Sequence, residues 1–246
     1  MLDRLKKEVC EANRDLVRHH LVTLTWGNVS GYDSDSELIV IKPSGVSYEE
    51  LTPQKMVVVD LDGNSVEGDL RPSSDTATHM LLYRSFIGIG GITHTHSRYG
   101  TVYAQARCEI PCLGTTHADH FYGPVPVTRP LTEEEVETGY EANTGAVIVE
   151  RFANLDPQSM PAVLVAGHAP FVWGPSAKKS VENAVALEAV AEMALATQQS
   201  TLQAMQQGTH SAQELESYVL EKHYRRKHGS AAYYGQPSNS SASTQY

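Results

Sequence analysis

Cysteine, basic residues and long apolar runs are all scarce in this chain, and each scarcity excludes a class of protein. The three cysteines (Cys10, Cys108 and Cys112) are odd in number and too sparse for a disulfide framework, so they read as reduced thiols. Lysine and arginine total 19 against 29 aspartates and glutamates, a formal net charge of −10. That balance leaves no broad basic surface for nucleic acid, although a small cationic pocket is compatible with it. No stretch of about 18 apolar residues occurs, so no membrane-spanning helix is expected. The charged opening Met1-Leu2-Asp3-Arg4-Leu5-Lys6-Lys7 does not have the form of a secretory signal. Together these absences predict a cytoplasmic protein. What remains is 41% hydrophobic and 20% charged, an ordinary globular composition, at a length that suits one large domain or two small ones.

Cys108 and Cys112 stand close to His117 and His120. The gap between the pairs is too short, and the histidines too tightly spaced, for a finger-like zinc site. Simple packing of buried thiols is the plainer reading.

Apolar residues at Leu2, Leu5, Val9, Leu16 and Val17 recur at helical spacing, so the first segment predicts an amphipathic helix. Glu37–Ile41 and Met56–Leu61 predict strands, and Asp62-Gly63 is a hairpin turn before Ser65-Val66-Glu67. Ser73-Ser74-Asp75 offers N-caps for a helix, Gly91–His96 reads as a strand, and Ser97 can cap the helix after it. Thr132-Glu133-Glu134-Glu135 fits a capping box, Ala162–Ala166 reads as a buried strand, and residues 176–207 form an Ala-rich helical pattern. The alternation, with a hairpin in it, predicts a single three-layer α/β domain over residues 1–236, a central mixed, mostly antiparallel sheet flanked by helices. The Ser-rich segment 237–246 is expected to be disordered.

Eleven histidines are present, and their arrangement matters more than their number. In His94-Thr95-His96, alternate strand residues would put both imidazoles on one side, about 6–7 Å apart at Cα, close enough to converge on one metal ion. His168, after the Val163–Gly167 run, could add a third imidazole and Asp75 an anionic fourth group. Such a donor set suits zinc or a neighbouring divalent ion better than calcium or magnesium. Each signal has a plainer alternative: His-x-His arises by chance, Asp75 can be a helix cap, and His168 can be a hydrogen-bonded core histidine. Three short loops, Trp26-Gly27-Asn28-Val29-Ser30, Lys42-Pro43-Ser44-Gly45 and Pro72-Ser73-Ser74, offer amides and hydroxyls to an anion, and each can equally be a turn. A nicotinamide cofactor is not expected. Gly88-Ile89-Gly90-Gly91-Ile92-Thr93 ends in Thr93 where the last glycine of the dinucleotide fingerprint belongs, and it runs into a strand.

Taken together, Leu24–Ser30, Ile41–Val46, Pro72–Thr76, Thr93–Ser97, Gly114–Asp119 and Lys222–Gly229 occur in an order that resembles the class II sugar-phosphate aldolase and epimerase superfamily. The likeness is strongest to its L-ribulose-5-phosphate 4-epimerases and runs from the first helix to Gly235-Gln236. The resemblance implies one Zn2+ per subunit on Asp75, His94, His96 and His168. It implies phosphate contacts from Gly27, Asn28, Ser44, Gly45, Ser73 and Ser74 with Lys42 nearby, and Asp119 and Tyr234 as the two acid/base residues. It also implies a homotetramer in which the C-terminal tyrosine reaches a neighbouring subunit's site. Related aldolases tend to carry glutamate after the paired serines, where this chain has Asp75. His120, where tyrosine is common, and Ala169, where glycine is usual, depart from the pattern, as does a slightly shorter segment before Met160; all proposed ligands are kept.

The implied activity is interconversion of L-ribulose 5-phosphate and D-xylulose 5-phosphate. The hydrogen at carbon 4 is not beside the ketone, so its direct removal gives no stabilised carbanion. Without a nicotinamide, cleavage and re-formation of the C3–C4 bond is the route left. The rivals are an aldolase of the same superfamily that releases its fragments, a non-catalytic metal- or sugar-phosphate-binding protein, and a structural zinc protein, for which a cysteine-rich site would be usual.

Overall fold

A computed structural model describes residues 2–206, 212–230 and 232–235 of the 246-residue chain. The Ser-rich segment 237–246 lies outside these residues. In chain order the elements are α1 (Leu2–Arg18), β1 (Asn28–Asp33), β2 (Leu38–Ile41), β3 (Val57–Asp60), β4 (Ser65–Glu67), α2 (Thr76–Ser85) and β5 (Gly91–His94). They continue with α3 (Arg98–Ala106), α4 (Thr115–Ala118), α5 (Glu133–Arg151), β6 (Ala162–Leu164), β7 (Pro170–Gly174), α6 (Ala177–Gln206) and α7 (Ser217–Lys227).

The strands form one sheet in the order β4-β3-β2-β1-β5-β7-β6, and every ladder in it is antiparallel. A single parallel bridge, Val127 to Leu164, adds to it outside the named strands. The alternation of side chains along β1 explains how helices cover both faces. Val29 and Gly31 face α1. Asn13 of α1 grips both backbone groups of Val29, accepting from its N–H at 2.9 Å and donating to its carbonyl at 3.0 Å. A methyl group on Gly31 would come within 2.7 Å of Val9. Ser30 points the other way, to His79 and Tyr83 of α2, both at 2.7 Å. On β5, Thr93 meets Ser180 of α6 at 2.7 Å, on the α1 side. Ile92 and His94 lie on the α2 side, paired in register with Ser30 and Asn28. Three layers result: α1 and α6, then the sheet, then α2 packed with α5.

Burial follows the same logic. Val57, Val58 and Val59 are all buried, as befits a strand covered on both faces. Trp173 is buried against Phe86 and Phe152, and its indole N–H donates to the Pro157 carbonyl at 2.8 Å. α5 begins with the expected capping box: Thr132 accepts from the Glu135 N–H, and the Glu135 carboxylate accepts from the Thr132 N–H.

Three local expectations need correction. β5 ends at His94, so His96 lies beyond the strand rather than in it. His168 belongs to the tight turn between β6 and β7, closed by Val165 N–H to Ala169 O and His168 N–H to Val165 O. Asp75 and Ser97 occupy N-cap positions of α2 and α3, but neither side chain makes a capping hydrogen bond. β1 and β7 are additional strands; Gly31 and Asp33 in one, and Pro170 opening the other, blur the strand pattern in the sequence.

Candidate metal and anion site

β1, β5 and the β6–β7 turn converge at one end of the sheet, where they meet the N-terminus of α2. These segments, with the loop after β2, are far apart in sequence yet open onto one cavity of about 650 Å³. Gly27, Asn28, Lys42, Ser44, Gly45, Ser73, Ser74, Asp75, His94, His96 and His168 all line it.

The three histidines cluster, His94 buried, His168 half-buried and His96 exposed. Their ring centroids are 5.1 Å (His94–His96), 4.9 Å (His94–His168) and 4.9 Å (His96–His168) apart. One nitrogen from each lies within 4.8 Å of the other two. His94 is buried and stacked on Phe171 at 4.1 Å. Its Nδ1–H donates to the Pro170 carbonyl at 2.9 Å, which fixes the tautomer and leaves the Nε2 lone pair available. Nδ1 of His168 is buried with no hydrogen-bond partner among the described residues. Burial lowers the pKa of His168 to about 4, helped by His94 and His96. His96 is lowered by burial and by its neighbour His94. His96 and His168 are thereby neutral near pH 7, the form a metal requires of its imidazole ligands.

Asp75 lies on the same cavity but outside that 4.8 Å set. Its carboxylate accepts from the Asn28 amide at 2.6 Å. Burial alone would raise its pKa, but His94, His79, Asn28 and His168 together outweigh that and hold it low. Three imidazoles and a nearby carboxylate form a donor set that fits zinc or a similar divalent ion.

Two of the loops expected to contact an anion are held together by backbone. Pro43 bridges Pro72, Ser44 N–H donates to Arg71 O at 2.9 Å, and Ser73 N–H donates to Lys42 O at 3.0 Å. Gly45 has φ +70°, a conformation glycine adopts freely. Lys42 is only 2% exposed and makes no ion pair among the described residues. Its ammonium sits 5.0 Å from the Tyr48 ring centre and 3.3 Å from the Pro43 carbonyl, and burial lowers its pKa to about 8. A buried cation without a carboxylate partner is what an incoming anion would satisfy.

Asp119 and Tyr234 are brought together elsewhere. Asp119 is the C-cap of α4, and α7 supplies its partners. Arg226 makes a two-pronged contact with its carboxylate, Nε at 2.8 Å and the second nitrogen closer still; His223 donates at 3.1 Å and Lys227 lies at 3.4 Å. Burial opposes ionisation of Asp119, but Arg226, His223 and Lys227 prevail and hold its carboxyl low. The Tyr234 ring lies 5.2 Å from the Arg226 guanidinium and 4.6 Å from the Lys227 ammonium. Neither Asp119 nor Tyr234 lines the cavity of its own chain.

Thr25 and Trp26, from the expected Leu24–Ser30 segment, also line the cavity, as do Tyr140 and Glu141, which were not anticipated. Tyr140 is 5.9 Å from His168, and Trp26 is 6.4 Å from His96. Tyr140 and Glu141 follow a non-helical break at Gly139 inside α5. That glycine is the one sequence signal that could have marked them.

The family model for the class II aldolase and adducin N-terminal domain matches residues 7–195. Among solved structures, an L-fuculose 1-phosphate aldolase is 27% identical over 89% of this chain and 94% of its own, with a TM-score of 0.68. YgbL of Klebsiella pneumoniae, assigned broadly as an aldolase, epimerase or decarboxylase, is 24% identical over 90% of this chain and 98% of its own, at TM-score 0.66. L-fuculose 1-phosphate aldolase from Glaciozyma antarctica PI12 shares the fold at TM-score 0.72 with 15% identity, covering 91% of this chain and 81% of that one. The fold, the clustered histidines and the family match lead to one conclusion: this chain belongs to the class II aldolase and adducin N-terminal domain family.

Proposed function

We propose that this chain is a zinc-dependent epimerase that interconverts L-ribulose 5-phosphate and D-xylulose 5-phosphate by breaking and remaking the C3–C4 bond. The observation that carries this reading is the convergence, in one cavity, of three imidazoles within 4.8 Å of one another and a buried, unpaired Lys42. A sugar phosphate has the matching pair of ends, oxygens for a metal and a dianion for a cradle.

In this reading His94, His96, His168 and Asp75 hold the metal, one ion per chain, and no nicotinamide takes part. A bound zinc supplies Lewis-acid polarisation of the substrate's ketone and neighbouring hydroxyl oxygens. Ser44, Gly45, Ser73, Ser74 and Gly27 contact the phosphate, with Lys42 as the countercharge. Asn28 lines the cavity while its amide nitrogen holds Asp75 in place. The cradle keeps the two-carbon phosphate fragment from leaving after the bond breaks, which distinguishes an epimerase from an aldolase.

The acid/base steps fall to Asp119 and Tyr234. A base takes the proton from the carbon-4 hydroxyl, and the C3–C4 electron pair passes to the ketone-bearing fragment. The aldehyde fragment turns its other face, the same electron pair re-forms the bond, and a proton returns to the new hydroxyl from the opposite side. Asp119 and Tyr234 lie outside the cavity of their own chain, so the reaction requires a second chain to bring them to it. A cytoplasmic homotetramer with sites between subunits, each contributing residues 1–236, meets that requirement.

An aldolase reading is favoured by one observation, the name of the 27%-identical L-fuculose 1-phosphate aldolase. Carbon-13 NMR on L-ribulose 5-phosphate incubated with the metal-loaded protein separates the two. D-xylulose 5-phosphate without free fragments supports the epimerase, and accumulating glycolaldehyde phosphate supports the aldolase. No turnover at all would contradict both.

A further inference from the structure

The cradle has three loops, and among the described residues backbone bonds outside the sheet ladders staple two of them together. Loops 42–45 and 71–74 are stapled through Pro43–Pro72, Ser44–Arg71 and Ser73–Lys42. The remaining loop leads into β1, which pairs with β2 through Ser30 and Ile41, and its Asn28 reaches Asp75 at 2.6 Å; at Gly27 itself the tie is a tyrosine side chain. The Tyr48 hydroxyl donates to the carbonyls of Gly27 at 2.8 Å and Trp26 at 3.1 Å. The same ring offers its face to the Lys42 ammonium at 5.0 Å. Tyr48 is 6% exposed and does not itself line the cavity. Gly27, in turn, packs on the strand end that carries the imidazoles: a methyl group there would lie 2.8 Å from His94 O and 3.3 Å from Thr95 Cα.

The geometry points to Tyr48 as the positioning residue of the phosphate cradle, holding the Gly27 loop by its hydroxyl and the Lys42 ammonium by its ring. This rests on the reading of the cavity as a phosphate site. The two functions use different parts of one side chain, so they separate chemically. Tyr48→Phe removes the loop contact and keeps the cation–π face; Tyr48→Leu removes both. A cation facing an aromatic ring is stabilised in its charged form, so loss of the ring makes Lys42 surrender its proton at lower pH. The other titratable groups on the cavity are Asp75, Glu141, Tyr140 and the three histidines, and none pairs with Lys42 among the described residues.

The test is calorimetric binding of inorganic phosphate to the full-length, metal-loaded protein and both variants across the neutral to alkaline range, with thermal melts as a folding control. Tyr48→Phe is expected to weaken phosphate about fivefold to tenfold while the pH at which affinity falls stays put. Tyr48→Leu is expected to weaken it about threefold to fivefold further and to move that fall to lower pH. A purely structural tyrosine would weaken binding without moving the pH dependence. Affinity of folded Tyr48→Phe within about twofold of wild type overturns the loop-holding role. Tyr48→Leu with the same pH dependence as Tyr48→Phe overturns the role toward Lys42. Wild-type protein that fails to bind phosphate overturns the underlying cradle reading and Tyr48's role with it, and is recognised because the failure precedes any substitution.

Discussion

Replacing Lys42 with methionine should raise the stability of the protein while lowering its affinity for anions. Lys42 is 2% exposed and has no ion-pair partner among the described residues. Burial takes its pKa from 10.5 to about 8. Holding the buried ammonium charged at neutral pH therefore costs the fold about 3 kcal/mol. The Tyr48 face returns about 1 kcal/mol of this, and the 3.3 Å contact with Pro43 O adds little. Methionine fills a similar volume without charge, so the variant should gain about 1–2 kcal/mol. For a chain of this size that is a rise in Tm of about 2–8 °C.

The pH dependence provides a second check. The folded pKa is depressed, so the penalty is fully present below about 8 and shrinks as pH rises from there toward 10.5. The Tm advantage of the variant should shrink over the same window. Phosphate affinity should fall about 10²-fold, the value of a charge-assisted contact with a dianion in a dry site. Calorimetric melts with and without phosphate measure both quantities. A Tm equal to or below wild type at neutral pH, together with unchanged phosphate affinity, would refute the reasoning.

Other perturbations follow from the same geometry. Phosphate affinity of the wild type should decline by up to about tenfold per pH unit above about 8, as Lys42 loses its proton; titration calorimetry across that range checks it. Tyr234→Phe should slow turnover by about 10²-fold or more without loss of metal, and an unchanged rate removes Tyr234 from the reaction. Gly27→Ala combines φ +102° with a methyl group 2.8 Å from His94 O, so it should cost about 2 kcal/mol in stability and weaken metal retention, measured by melts and by metal analysis after dialysis.

The sequence made the wall of the cavity legible because its residues sit in short local motifs. His94 and His96 are two apart, Ser73, Ser74 and Asp75 adjoin a helix start, and Ser44-Gly45 follows a strand. The expected alternation of strand residues singled out two histidines that the fold does bring together, but not by alternation, since His96 lies beyond the end of β5. His168 was read as a strand end because the apolar run before it continues through Val165 and Ala166, yet the ladder stops at Leu164 and a turn carries the imidazole. Tyr140 and Glu141 belong to no local motif; they follow the break at Gly139 inside α5 and line the cavity. The clamp of Arg226 on Asp119 joins residues 107 positions apart, a contact no local pattern encodes. Tyr48 was invisible for the same reason: its partners are the backbone carbonyls of Trp26 and Gly27, which leave no trace in side-chain chemistry.

In the proposed function three imidazoles hold the metal on which the sugar-phosphate chemistry depends. Elemental analysis of purified wild type and His96→Ala, run beside turnover of L-ribulose 5-phosphate, tests it most directly. About one divalent ion per wild-type chain is expected, lost in a folded His96→Ala together with turnover. Turnover that survives in metal-free protein, or a His96→Ala variant that keeps both metal and rate, would contradict it.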